Sequence, residues 1–126
     1  MDKHKVTYVI DDVKTGAGHF TVGEEGPFDY GEAMTFLTEQ AGRTAAGAQN
    51  RLHNALARAM TRACGRHIDV MHSGPIDFAE MPFQWGYVCS VDQTADAAHT
   101  HDPLSAYRAA REHLAVCAGP AGGRQA

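Results

Sequence analysis

Four stretches of the chain have the sequence pattern of β-strands: the first is rich in β-branched and aromatic residues, and the others alternate hydrophobic and polar residues. The stretches are 5–13, 19–22, 67–73 and 83–91. A glycine-rich turn at 15–18 separates the first two and predicts a hairpin. In the last stretch one face carries Phe83, Trp85, Tyr87, Cys89 and Val91. We expect that aromatic face to pack beneath helices rather than to form an interface hot spot. A weaker extended segment is predicted over 76–81.

Three other stretches repeat apolar residues at steps of three and four, which predicts amphipathic helices. The predicted helices are 29–41, 44–64 and 103–118. Asp29 and Glu32 have the spacing of a capping box, and Asp102 precedes Pro103 as an N-cap. The apolar face of the middle helix is rich in alanine, so that helix is expected to approach its neighbours closely.

The predicted elements follow one another in the order β-β-α-α-β-(β)-β-α. Because tight turns join the strands, we predict an α+β fold with a small antiparallel sheet and the helices packed on one face. The chain has 126 residues, of which 44% are hydrophobic, and this is enough for one core. We expect a single domain over 1–118, followed by a flexible C-terminal tail at 119–126.

No stretch of the chain approaches the ~20 apolar residues needed to cross a bilayer, and the N-terminus lacks the apolar segment of a signal peptide. The three cysteines, Cys64, Cys89 and Cys117, are widely separated and form no C-x-x-C pair. This argues against a disulfide framework and against a zinc knuckle. We therefore expect a soluble protein of the reducing cytoplasm with no membrane partner.

The net charge of −4 is unevenly distributed along the chain. Residues 1–40 carry eight acids against three lysines, and residues 67–126 carry seven acids against three arginines. Residues 41–66 carry five arginines and no acid. At about 100° per residue, four of these arginines fall within one sector beside the apolar face of the middle helix. They are Arg51, Arg58, Arg62 and Arg66, and we call them the arginine stripe.

The arginine stripe is suited to binding an acidic protein patch or phosphate groups. In an alternative interpretation it is a solvated face that pairs with the acids of the N-terminal hairpin. Nucleic-acid binders are usually basic overall, whereas the pI of this sequence is about 6.0. An acidic protein partner is therefore favoured over DNA or RNA.

His99 and His101 have an H-x-H spacing that can bring two imidazoles together. A third metal ligand would have to come from His67, His72 or Cys89. Because only two ligands have suggestive spacing, we assign no metal and keep His99 and His101 as the candidate ligands. The sequence also lacks a phosphate-binding glycine loop, a nucleophile elbow and an activated thiol, so we predict no catalytic residue and no cofactor.

The sequence favours a non-enzymatic interaction protein, such as a small inhibitor or accessory factor of phage or mobile-element type. An anti-CRISPR-like protein would be one instance. Its partner would be a protein or a nucleoprotein complex, with the arginine stripe as the contact surface. One alternative is a nucleic-acid-binding module that uses the same stripe. A second is a small histidine- or metal-dependent enzyme built around His99 and His101. The alanine-rich helix face or an exposed edge strand also offers a surface for a homodimer.

Overall fold

Two three-stranded antiparallel sheets pack against one long helix. The computed structural model describes residues 4–65, 68–72, 85–90, 94–95 and 102–117. Its strands are β1 (Val6–Ile10), β2 (Gly18–Val22), β3 (Glu25–Phe28), β4 (Ile68–His72), β5 (Trp85–Cys89) and β6 (Thr94–Ala95). Its helices are α1 (Tyr30–Thr35), α2 (Ala45–Cys64) and α3 (Pro103–Val116), and a π-helical turn at Phe36–Gln40 continues α1. The α+β class and the antiparallel pairing predicted from the sequence are confirmed.

The N-terminal sheet is a meander of β1, β2 and β3. β1 and β2 form the predicted hairpin, with Val6 opposite Val22. The buried face of this hairpin carries Val6, Tyr8, Phe20 and Val22. β3 lies in a segment where the sequence pattern predicted no strand. Its Phe28 pairs with Phe20 and packs against Phe36, and these contacts between distant residues stabilise a third strand.

The second sheet has β5 at its centre, between β4 and β6. Its buried face carries Ile68, Val70, Trp85 and Cys89, in agreement with the predicted alternation. Tyr87, predicted on the same face, is half-buried. β6 lies within the segment 92–101, where the sequence pattern predicted no strand. The rest of that segment, the predicted strand 76–81, Phe83 and Val91 lie outside the described residues.

α2 is the element that both sheets share. The Thr44 hydroxyl caps its first turn by accepting a hydrogen bond from the Gly47 amide at 3.0 Å, and Gly65 ends it in the left-handed conformation with φ 71°. The buried side of the helix carries Ala48, Leu52, Ala55, Leu56, Ala59 and Met60. Its alanines therefore pack within the chain's own core.

Thr61 joins α2 to the edge of β4. Its Oγ1 accepts a hydrogen bond from Val70 N at 2.9 Å and donates one to Val70 O at 3.1 Å. A single hydroxyl thus satisfies both backbone groups that a neighbouring strand would otherwise pair. The edge of β4 is closed at this point.

α1 and α3 begin at the caps predicted from the sequence. Asp29 Oδ1 accepts a hydrogen bond from Glu32 N at 2.7 Å, and Glu32 Oε1 accepts one from Asp29 N at 2.9 Å, which completes the capping box. Asp102 Oδ1 accepts a hydrogen bond from Leu104 N at 3.1 Å. Within the described ranges, none of the helices is both long enough and apolar enough to cross a membrane. The predicted tail, 119–126, lies outside those ranges.

Candidate functional site

Three arginines of the arginine stripe lie on α2 between the two sheets. Arg58 and Arg62 are exposed, and Arg51 is partly exposed. Arg58 and Arg62 line a groove toward β1 on one side and a groove toward β4 on the other. The fourth member of the stripe, Arg66, lies outside the described residues. The three described arginines therefore form a ridge that follows the gap between the edges of the two sheets.

Lys5 adds a fourth cation to this region, although no sequence pattern linked it to the arginines. Two adjoining grooves of about 230 and 300 Å³ separate β1 from α2. Lys5, Val6 and Arg58 line both of them, so the two grooves are continuous. Their cationic side chains are Lys5, Arg51, Arg58 and Arg62, and we call the combined surface the basic groove.

Among the described residues that line the basic groove there is no carboxylate. Arg58 Nη2 donates a hydrogen bond to the carbonyl oxygen of Val6 at 3.4 Å, which turns the guanidinium toward β1. Neither Arg58 nor Arg62 forms an ion pair with a carboxylate of the described chain, so the hairpin acids do not neutralise them there. One of those acids, Asp11, instead lies with its Oδ2 2.9 Å from His19 Nδ1. As far as the described residues go, the charges of Arg58 and Arg62 are thus available to an outside ligand.

β1 presents a backbone edge to the basic groove. Among the described strands, β1 has one neighbour, β2. Lys5 O accepts a hydrogen bond from Gly23 N at 2.9 Å, so by strand alternation the backbone groups of Val6 and Tyr8 point away from β2. The groove therefore combines cationic side chains with the backbone donors and acceptors of an edge strand. An extended acidic peptide can use both features together.

A second polar cluster contains the buried His53, the half-buried His72 and Trp85, whose three rings contact one another. His53 Nε2 lies 3.1 Å from the Tyr30 hydroxyl, and His72 Nε2 lies 2.9 Å from Asn54 Oδ1. The ring centroids of His53 and His72 are 5.5 and 4.9 Å from that of Trp85. Burial, with a smaller effect from the neighbouring His72, lowers the pKa of His53 to about 4, and burial also lowers the pKa of His72. Both imidazoles are therefore neutral at pH 7, and the cluster packs as part of the core.

The histidine pair with metal-ligand spacing, His99 and His101, lies outside the described residues. A different set of metal-ligating side chains comes together: Cys89 of β5 with His113 and Cys117 at the end of α3. One ligand atom from each lies within 4.8 Å of the other two. The sequence singled out Cys89 as a candidate third ligand and missed the other two residues. Their signal is a separation of four residues, which places them on one face of a helix.

Comparison with protein-family models, with characterised proteins and with solved structures gives no match. The function is therefore argued from the geometry of the molecule. His53 is buried and His72 is half-buried, and two members of the cysteine cluster are buried as well. The basic groove is open along α2 and is the candidate functional site.

Proposed function

We propose that this is a non-enzymatic interaction protein whose basic groove binds an acidic segment of a partner protein. The supporting observation is the composition of the groove, with four cations along its length and no carboxylate among its described lining residues. Arginine favours such a ligand because its planar guanidinium pairs with a carboxylate in bidentate geometry. Small inhibitors and accessory factors of phage or mobile-element type act by occupying a partner's surface. An anti-CRISPR-like blocker of a nucleoprotein complex is one member of the class we propose.

The spacing of the cations is suited to an extended ligand. Arg58 and Arg62 are one helical turn apart, about 6 Å along α2. Alternate residues of a β-strand point to the same side and are about 6.6 Å apart. A segment that adds to the edge of β1 would therefore place acidic residues at positions i and i+2 opposite the two arginines. Main-chain hydrogen bonds to β1 would supply affinity, and the carboxylates would supply specificity.

The charge elsewhere on the chain favours a protein ligand over nucleic acid. The net charge is −4 at pH 7 although the groove is positive. A long polyanion would be repelled by the acidic residues outside the groove, whereas a short acidic segment would contact the groove alone.

None of the three cysteines, all of which are in the described part, forms a disulfide, and we place the protein in the reducing cytoplasm.

Binding of a fluorescent acidic peptide tests this proposal. The probe is a short extended peptide with glutamate at alternate positions, and its control has glutamine at the same positions. We expect the Arg58→Glu/Arg62→Glu variant to bind the probe at least ~10-fold more weakly, because each charge reversal replaces an attraction by a repulsion. Arg108→Glu is the control variant, since Arg108 is exposed on α3 and does not line the groove, and it should bind as the wild type does.

Fluorescence anisotropy at low and at physiological salt gives the affinities, and circular dichroism confirms that each variant is folded. A folded Arg58→Glu/Arg62→Glu variant that binds the peptide as tightly as the wild type would refute the groove as the binding site. A single-stranded oligonucleotide that displaces the peptide, and binds with a steep salt dependence, would reassign the groove to nucleic acid. Failure of the wild type to bind the peptide at either salt concentration would also contradict the proposal.

A further inference from the structure

Three metal-ligating side chains meet where the last turn of α3 lies against β5. One ligand atom from each of Cys89, His113 and Cys117 lies within 4.8 Å of the other two. The sulfur atoms of Cys89 and Cys117 are 3.8 Å apart. Cys89 is fully buried, Cys117 is 9% exposed and His113 is half-buried. This cluster shares no residue with the basic groove.

The backbone holds these three residues in place. Cys89 is in the central strand of its sheet, where it pairs with Ile68 on one side and with Thr94 on the other. His113 and Cys117 are one helical turn apart, and the Cys117 amide donates a hydrogen bond to the His113 carbonyl at 2.7 Å. Ligands that are already positioned in this way lose little conformational entropy when they close on an ion.

The distances in the cluster are close to those around a tetrahedral zinc ion. With Zn–S and Zn–N distances of about 2.3 and 2.05 Å, two sulfur ligands are about 3.8 Å apart and a sulfur and a nitrogen about 3.6 Å apart. The observed separation of the two sulfur atoms is 3.8 Å. No pair of ligand atoms in the cluster is farther apart than 4.8 Å. The separation of the His113 nitrogen from either sulfur therefore exceeds the tetrahedral value of about 3.6 Å by no more than about 1.2 Å.

We propose that Cys89, His113 and Cys117 bind one zinc ion through two thiolates and one imidazole. Two sulfur ligands and a nitrogen select Zn²⁺ over Mg²⁺ or Ca²⁺, which prefer oxygen ligands. Both thiols lose their protons to solvent as the ion binds. The described part of the chain supplies three ligands, which leaves the fourth coordination position for water or an outside ligand. The ion joins the end of α3 to the centre of the second sheet, so its binding energy adds to the stability of the fold.

Metal titration of the full chain, after treatment with a chelator and a thiol reductant, tests this site. We expect the wild type to take up one Zn²⁺ per chain, and its Tm to rise by about 5–10 °C when zinc is well above its Kd. Co²⁺ in place of zinc should give a thiolate-to-cobalt charge-transfer band with the intensity of two thiolates. Cys89→Ala and Cys117→Ala should abolish both signals. Cys64→Ala is the matched control, because Cys64 is also buried but lies outside the cluster, and it should keep both signals.

Metal uptake that persists in both Cys89→Ala and Cys117→Ala would place the ion elsewhere and overturn the proposal. Absence of uptake by the reduced wild type would overturn it as well. A disulfide between Cys89 and Cys117, found in a protein that binds no metal when reduced, would identify the two cysteines as a redox pair instead. The intensity of the cobalt band of the wild type gives the number of thiolate ligands without any variant, and circular dichroism confirms that each variant is folded.

Discussion

Lowering the pH from 7 to 5 should destabilise the fold through His53. This side chain is 9% exposed on α2, with its Nε2 3.1 Å from the Tyr30 hydroxyl and its ring in contact with those of His72 and Trp85. Burial lowers the pKa of His53 from 6.5 to about 4, and His72 adds a smaller effect in the same direction. Between pH 6.5 and pH 4 the unfolded chain therefore binds a proton that the folded chain does not. The free energy of unfolding consequently falls as the pH falls.

The size of this effect follows from the two pKa values of His53, 6.5 in the unfolded chain and about 4 in the folded protein. At pH 7 the imidazole is mostly neutral in both states, so the contribution is only a few tenths of a kcal/mol. At pH 5 it is almost fully protonated in the unfolded chain and about one-tenth protonated in the folded protein, which costs about 2 kcal/mol of stability. Below pH 4 the loss levels off at about 3 kcal/mol. A domain with a total stability of about 5–15 kcal/mol would show this loss clearly.

Urea denaturation of the wild type and of a His53→Phe variant at pH 7, 6 and 5 measures the effect. Phenylalanine keeps an aromatic ring in the core but does not titrate. Every other ionisable side chain is present in both proteins, so the difference between the two pH profiles reports on His53. We expect the wild type to lose about 2 kcal/mol more than the variant between pH 7 and pH 5. Equal losses, or a pKa of His53 above 6 measured by NMR, would refute the reasoning.

Two further substitutions test contacts that hold the sheets to the helices. Gly16→Ala should cost about 2–3 kcal/mol, because Gly16 has φ 86° and an added Cβ would lie 2.7 Å from the Tyr107 ring. Gly42 serves as the control: it has φ 70°, and no atom lies within 4 Å of an added Cβ, so Gly42→Ala should cost only about 1 kcal/mol. Equal losses of stability in the two variants, measured by urea denaturation, would contradict the role of the Tyr107 ring. Thr61→Val should cost about 1–3 kcal/mol of stability, because it removes both hydrogen bonds to the Val70 backbone. Hydrogen exchange at the Val70 amide should become faster in this variant, and an unchanged exchange rate would contradict the role of Thr61.

Signals from residues close in the sequence were sufficient to predict the helices. Thr44 and Gly65 bracket α2, and the predicted limits 44–64 differ from the observed helix, Ala45–Cys64, by one residue. The capping box of Asp29 and Glu32 also forms as predicted. In each case the side chain acts on backbone groups within one turn of itself, so its position in the sequence specifies its partner.

Contacts between residues far apart in the sequence could not be predicted in this way. The two-residue period of a strand and the residues of a turn do not indicate which sheet a strand joins. They therefore could not predict that the strands divide between two sheets, with β1 and β4 as edges on either side of α2. The helical period placed Arg58 and Arg62 together, but the presence of Lys5 beside them depends on the packing of β1 against α2. In the same way, Cys89 meets Cys117 only because α3 packs on β5.

Capture of partners from a lysate, with nuclease treatment in parallel, tests the central proposal most directly. The baits are the wild type, the Arg58→Glu/Arg62→Glu variant and the Arg108→Glu control. We predict that the wild type and the control retain the same acidic protein after nuclease treatment and that the double variant loses it. A partner that the folded double variant retains, or one that nuclease treatment removes from the wild type, would contradict the proposal that the basic groove binds an acidic protein.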